Sequence, residues 1–303
     1  MVRKRSSSAI LLALVLVASV LTVHAGTDKQ DLVNMIARYE GLYEECVIRY
    51  SAKPYTYQSY LIGDESKLEP RPRQASDLTV TYSSMGRHQR VDRTYDLGEF
   101  NEYVTEVGDG ERKISWTTSD YDSAGQASFR AADEETDVTF PVAAFRPFHF
   151  YFARHGLAIE DLEVERRGQD IILRWFHTDP ENTFEMCCER WDEYLRPRWI
   201  KNTWVRDGEP DELLYEQKYH YRDGVDESGK KSMQLAKVVN LAPVHDICSY
   251  KIIEEVDLSP NLDSSFFELE FKERTWLIDK STGIVRRHHR AGTSPSELRE
   301  CDP

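Results

Sequence analysis

Apolar positions recur along this chain at two different periods, and the change from one to the other falls near Tyr50. Leu32, Met35, Ile36, Tyr39, Leu42, Tyr43, Cys46, Val47 and Tyr50 are spaced by three and four residues, which puts them on one side of a helix. Ahead of them, Thr27-Asp28-Lys29-Gln30 matches a capping box, in which the threonine and glutamine side chains satisfy free amides at a helix start. The spacing predicts a helix over 31–50 that Pro54 prevents from continuing. Gly41 lies in its middle and costs about 1 kcal/mol in helix propensity. Packing of the apolar face therefore has to hold this helix.

Beyond Tyr50 the period is two. Leu78, Val80 and Tyr82 alternate with threonines, Tyr103, Thr105 and Val107 share a face, and Ile114 and Trp116 share another. Further strand-like runs are Asp170 to His177, Thr183 to Trp191, Arg198 to Arg206, Leu213 to Tyr221, Met233 to Asn240 and Tyr250 to Asp257. Asp109-Gly110, Asp207-Gly208 and Asp223-Gly224 supply hairpin turns that need positive φ. The pattern predicts an α+β chain that is mostly antiparallel β. Phe140 to Leu162 breaks the rhythm, with Phe145, Phe148, Phe150, Tyr151 and Phe152 crowded between Pro141 and His155-Gly156-Leu157. It reads as an apolar crossover with a short helix, and as a seam between two halves.

The first 25 residues read as an export signal: basic Arg3, Lys4 and Arg5, an apolar run from Ile10 to Val23, and a small-residue cleavage pattern ending at Ala25. That run is shorter than the roughly 20 apolar residues a spanning helix needs, and the mature chain has no second one. An uncleaved anchor is the alternative reading. The first cysteine is Cys46, so no lipid-attachment cysteine follows the cleavage point. The expected location is periplasmic or secreted, soluble after cleavage near Ala25. Cleavage leaves 36 basic residues against 53 acidic ones, a net charge of −17. A surface of that sign repels phosphate backbones and anionic lipid, so nucleic acid is an unlikely partner on electrostatic grounds.

In an exported chain Cys46, Cys187, Cys188, Cys248 and Cys301 are disulfide candidates, and their odd number leaves at least one unpaired or paired between chains. Cys187 and Cys188 are neighbours in a strand-like run and so face opposite ways. One bridge from this pair to Cys46, Cys248 or Cys301 is the expectation; packing cysteines with no bridge are the alternative.

The order of elements and several motifs resemble a known family. They are the helix Asp31 to Tyr50, the hairpin Gly108 to Trp116 followed by Tyr121-Asp122, Gly168 to Leu173, Tyr194 to Trp199, and Phe266 to Phe271 continuing through Asp279 to Gly283. Together they are similar to the outer-membrane lipoprotein carrier (LolA-like) superfamily of periplasmic carriers and lipid sensors. The resemblance spans about residues 28 to 288. With the signal read at 1–25, it implies a single half-barrel domain at 26–303, in which the seam near 140–162 is internal. In that fold a strongly curved sheet wraps the N-terminal helix, and its concave face shelters an acyl chain or another apolar ligand. A lipid or a lipidated protein is the partner this implies. No residue of this chain matches a ligand contact of the family.

No catalytic motif emerges, and no enzyme activity, cofactor or metal is expected. Gly224 to Lys230 has P-loop spacing, but Lys231 stands where a hydroxyl is required. Asp120 to Gly125 begins like a calcium loop and fails at Ala124 and Ala131. The acidic run Asp133, Glu134, Glu135 and Asp137 reads as a solvated loop, and His288-His289 as part of a basic tail rather than a metal pair. A Cys187 or Cys188 thiolate paired with His177 competes with a plain buried strand cysteine, and no glycine-x-serine-x-glycine elbow is present. The positive signal is aromatic. Trp116, Phe145, Phe148, Trp175, Trp199 and Trp204 are the candidates to line an apolar cavity, unless they fill the core under the helix. The leading expectation is a soluble exported protein that shelters an acyl chain. Its alternatives are an envelope hydrolase acting on glycan or peptide, and an envelope interaction module.

Overall fold

The structure is a computed structural model, and it describes residues 29–71, 77–109, 112–131, 143–152, 157–176, 182–205, 211–225, 231–280 and 283–287. The export signal, Thr27-Asp28, Asp207-Gly208, the acidic run, His155, His177, residues 226–230, His288-His289 and Cys301 lie outside the described residues. The helix α1 occupies 29–41. Then follow β1 (Glu45–Tyr55), α2 (Tyr57–Tyr60), β2 (Asp77–Met85), β3 (His88–Asp96), β4 (Asn101–Gly108), β5 (Arg112–Ser119), β6 (Gln126–Ala131), α3 (Pro147–Tyr151), β7 (Glu163–Arg167) and β8 (Asp170–Phe176). The chain continues through β9 (Asn182–Trp191), β10 (Tyr194–Trp204), β11 (Glu212–Val225), β12 (Lys231–Ala242), β13 (Ile247–Asp257), β14 (Trp276–Asp279) and β15 (Val285–Arg287).

All fifteen strands among the described residues belong to one curved, unclosed sheet in the order β15-β14-β6-β5-β4-β3-β2-β1-β13-β12-β11-β10-β9-β8-β7. Two antiparallel meanders meet where β1 pairs with β2 on one side and β13 on the other. The exception to antiparallel pairing is β14, which returns to lie parallel to β6. The α+β half-barrel expected from the sequence is thus present.

The helix is shorter than its apolar spacing predicts. It ends at Gly41; three turn bonds follow, from the amides of Leu42, Tyr43 and Glu44 to the carbonyls three residues back, and the chain becomes β1. Cys46, Ile48, Tyr50 and Ala52 are buried at a period of two. A separation of four residues satisfies both periods, so Cys46 and Tyr50 prolong the helical pattern of Tyr39 and Tyr43 while belonging to a strand. Pro54 lies inside β1, and Asp223-Gly224 lies inside β11 rather than in a turn. Asp109 does begin the β4–β5 hairpin, its carboxylate accepting from the Arg112 amide at 2.7 Å.

Alternation sorts the strand residues onto two faces. Concave side chains such as Ile48, Val80, Tyr82, Leu173, Met186, Ile200 and Val238 pack with Leu32, Met35, Ile36, Tyr39 and Tyr43 around α1, and with Phe145, Phe148, Tyr151 and Phe152 of the crossover. The convex face has two smaller cores. Val107 and Ala127 are covered by Phe267, Leu269, Phe271 and Leu277 of the C-terminal segment. Val239, Leu241, Cys248 and Tyr250 are covered by Tyr55, Tyr57, Tyr60 and Leu68 around α2.

The disulfide expectation is corrected for the four described cysteines: Cys46, Cys187, Cys188 and Cys248 are buried free thiols. The register explains why. Cys188 belongs to the concave core and Cys248 to the convex core under α2, so the sheet itself separates these two; Cys46 shares the concave core with Cys188, but four strands, β10 to β13, lie between β1 and β9 in the sheet.

Gly125 is where the C-terminal cover meets the sheet. Its carbonyl accepts from the Trp276 amide at 3.0 Å, its φ is +65°, and an added Cβ would sit 2.0 Å from the Thr117 carbonyl oxygen. Gly125→Ala is expected to destabilise the fold by at least about 1–3 kcal/mol, the usual scale for a strained backbone position. Urea denaturation measures it, and an unchanged midpoint would contradict this close approach.

Candidate functional site

The concave face changes character across the sheet. Over β1, β2 and β8 to β13 it is mainly apolar and covered by α1 and the crossover. On β3 to β5 it carries ions instead: Glu106 accepts from Arg93 at 2.5 Å and lies 3.1 Å from Lys113, with all three side chains largely buried. Burial alone would raise the Glu106 carboxyl, but these two cations outweigh it and hold it below its ordinary range.

Between the two regions the cover leaves a cavity of about 300 Å³, lined by Tyr50, Ala52, Leu78, Val80, Arg93, Tyr215, Asn240, Leu241, Ala242, Ile247, Ser249 and Lys251. Its volume is at the lower end of the range of about 300–1,000 Å³ typical of small-molecule sites. Lys251 stands opposite Ala52 on β1 and Val238 on β12, and that register turns its side chain to the concave side. It is 5% exposed, and burial pushes its amine well below the ordinary lysine range. The Tyr215 hydroxyl donates to Gln217 Oε1 at 2.5 Å and lies 3.2 Å from Asn240 Oδ1. A second cleft, of about 410 Å³, lies beside the start of α1 and is lined mostly by polar residues, among them Asp31, Arg166, Arg190 and Asp192.

The crossover is fastened from both sides. Glu40, in the last turn of α1, accepts from the backbone amides of Phe148 at 2.9 Å and His149 at 3.2 Å, capping α3, and pairs with Arg146 at 3.2 Å. Pro147 at the first position of α3 has no amide to satisfy. From the sheet, Gln217 Nε2 and the Tyr219 hydroxyl donate to the Ala143 carbonyl at 3.2 and 3.1 Å. Burial pushes the Glu40 carboxyl up to about 7 against the opposing effects of Arg146 and the two amides.

The aromatic candidates are dispersed. Phe145, Phe148 and Trp175 are in the filled concave core, where Phe145 packs on Tyr43, Tyr50 and Tyr82. Trp116 belongs to the convex core under Phe271, its indole donating to the Ala124 carbonyl at 3.0 Å. Trp199 faces the convex side opposite Cys187, with Lys201 over its ring at 4.6 Å. Trp204 ends β10, half-buried and outside all three cores. None of the six is among the side chains that line the concave cavity. Phe145 comes nearest to that role, since its ring meets Tyr50 on the cavity wall at 5.9 Å. The actual lining residues are aliphatics, two tyrosines, Ser249, Asn240, Arg93 and Lys251, brought together by register between strands distant in sequence, for which the chain carries no local signal.

No family model and no curated protein matches this sequence. Among solved structures, the chain is similar to a domain from Vibrio parahaemolyticus named for outer membrane lipoprotein sorting. They share 9% identity at a TM-score of 0.42, over 77% of this chain and 94% of that one. It is also similar to a DUF1329 family protein from Desulfovibrio piger, with 8% identity and a TM-score of 0.39 over the same shares. Among the described residues, no group of His, Cys, Asp and Glu side chains is placed to hold a metal, and no helix is long and apolar enough to cross a membrane.

Glu40 ties stability to pH. Its folded pKa of about 7 lies above the ordinary 4.5, so its favourable contribution is complete below about pH 4.5 and is lost as pH rises through 7. Glu40→Gln mimics the protonated acid, so stability relative to the unaltered chain should shift in the variant's favour between pH 4.5 and 7.5. A shift on the order of 3 kcal/mol is expected. Urea midpoints across that range test this, and parallel curves for the two proteins would show that the carboxyl does not titrate there.

Proposed function

We propose that this protein is an exported, non-enzymatic binding protein that shelters an acyl chain or similar apolar ligand against the concave face of its sheet. The observation that carries this reading is the cavity of about 300 Å³ left between β1, β2 and β11–β13 where α1 and the crossover do not cover the apolar part of the face. Ala52, Leu78, Val80, Ala242 and Ile247 give it an aliphatic wall. A chain of methylene groups entering it would gain about 0.8 kcal/mol per buried group. The signal-like first 25 residues support export, and the resemblance to the lipoprotein carrier superfamily supports a lipid or lipidated partner.

Delipidated protein is expected to take up a fluorescent acyl probe at one site and to gain thermal stability, by about 2.7 kcal/mol at a ligand concentration one hundred times Kd. Ala52→Phe fills the cavity from its β1 wall, and should weaken uptake at least tenfold while leaving the fold intact by circular dichroism. No uptake by the unaltered chain, or equal uptake by the variant, counts against this site.

A further inference from the structure

We propose that the concave cavity takes a long-chain carboxylate, with the fatty acid's head group seated on Lys251 and its tail on the aliphatic wall. This rests on the reading of the cavity as an acyl site and adds the identity of the head group. Lys251 is the one amine among the lining residues, and it reaches the cavity from the middle of a strand rather than from a rim. Its place is set by backbone register: Ala52 and Val238 flank it across β1 and β12, and both are too small to cover a lysine side chain.

A buried lysine offers three donors, and the groups near it divide by chemistry. Tyr50, Ala52, Leu78 and Val80 line the β1–β2 side, whereas on the β11–β13 side Ser249, Asn240 and Tyr215 add hydrogen-bonding groups beside Leu241, Ala242 and Ile247. An amphiphile with one polar end fits that division; a plain hydrocarbon leaves the polar side facing apolar atoms, which is unfavourable without a hydrogen-bond partner. The sign of the head group follows from the charges present. Arg93 also lines the cavity but is already paired with Glu106, and none of the lining residues is acidic. Burial disfavours the charge on Lys251, so a carboxylate seated beside it favours the ammonium form and gains a partner of opposite sign, which a neutral head group does not. Meanwhile the protein as a whole carries a net charge of −14. General electrostatics therefore oppose anion binding, and preference for a carboxylate has to arise inside this cavity.

The test is competition of dodecanoate and methyl dodecanoate against a fluorescent acyl probe, on delipidated full-length protein and on Lys251→Met. The unaltered protein is expected to bind the acid at least tenfold tighter than the ester, and Lys251→Met to bind the two alike while keeping the probe. Equal binding of acid and ester by the unaltered chain overturns the head-group assignment and leaves the acyl site standing. Binding of neither ligand nor probe overturns both. Retained preference for the acid in Lys251→Met removes Lys251 from the role. Should that variant not fold, the acid-to-ester ratio of the unaltered protein, measured alongside Lys251→Gln, still decides the proposal.

Discussion

An open sheet whose central strands are apolar on both faces has to be covered twice. In β12, Val238 is buried on the concave side and Val239 on the convex side; in β13, Ile253 and Tyr250 divide in the same way. No single segment can reach both faces. The chain uses α1 and the crossover inside, and α2 and the C-terminal segment outside. The outer strands need less cover. The edge strand β7 is only five residues long and carries Glu163, Glu165, Arg166 and Arg167, which discourages pairing with another chain's edge.

The inner cover is made of two pieces that are distant in sequence, and Glu40 joins them. Its carboxylate accepts from the Phe148 and His149 amides in the first turn of α3 and from the Arg146 guanidinium. On the other flank, Ala143 is held by Gln217 and Tyr219, and Gln217 is in turn bonded to Tyr215, which lies against Asn240 on the cavity wall. The segment that fills most of the concave face is thus linked by hydrogen bonds to the part it leaves empty. The polar groups at that boundary have a structural task, holding the crossover down, apart from any ligand.

Much of the fold was legible in the sequence because alternation is a local property. The runs at 170–177, 183–191, 233–240 and 250–257 all became strands near their expected bounds. The aromatic crossover with its short helix is there as well. The helix end was not legible, since Cys46 and Tyr50 lie at a spacing that helix and strand share. The short strands β7, β14 and β15 carry too few residues to show a period, and β14 exists through its parallel pairing with β6, 150 residues earlier in the chain.

The candidate site was the least legible part. Aromatic size drew attention to tryptophans, but large rings fill space well and were used for that: Trp175 inside, Trp116 outside. A vacancy forms instead where side chains are small, as at Ala52 and Ala242, and such residues carry no signal on their own. By itself the sequence determined the export-like start, the acidic charge, the mainly antiparallel class and the presence of one amphipathic helix, because each depends on composition or on neighbours a few residues apart. Only the tertiary structure decided which face each strand residue took, that the four described cysteines stay apart, and that Lys251 faces a cavity. Those depend on register between strands distant in sequence, and a shift of one residue reverses every side chain.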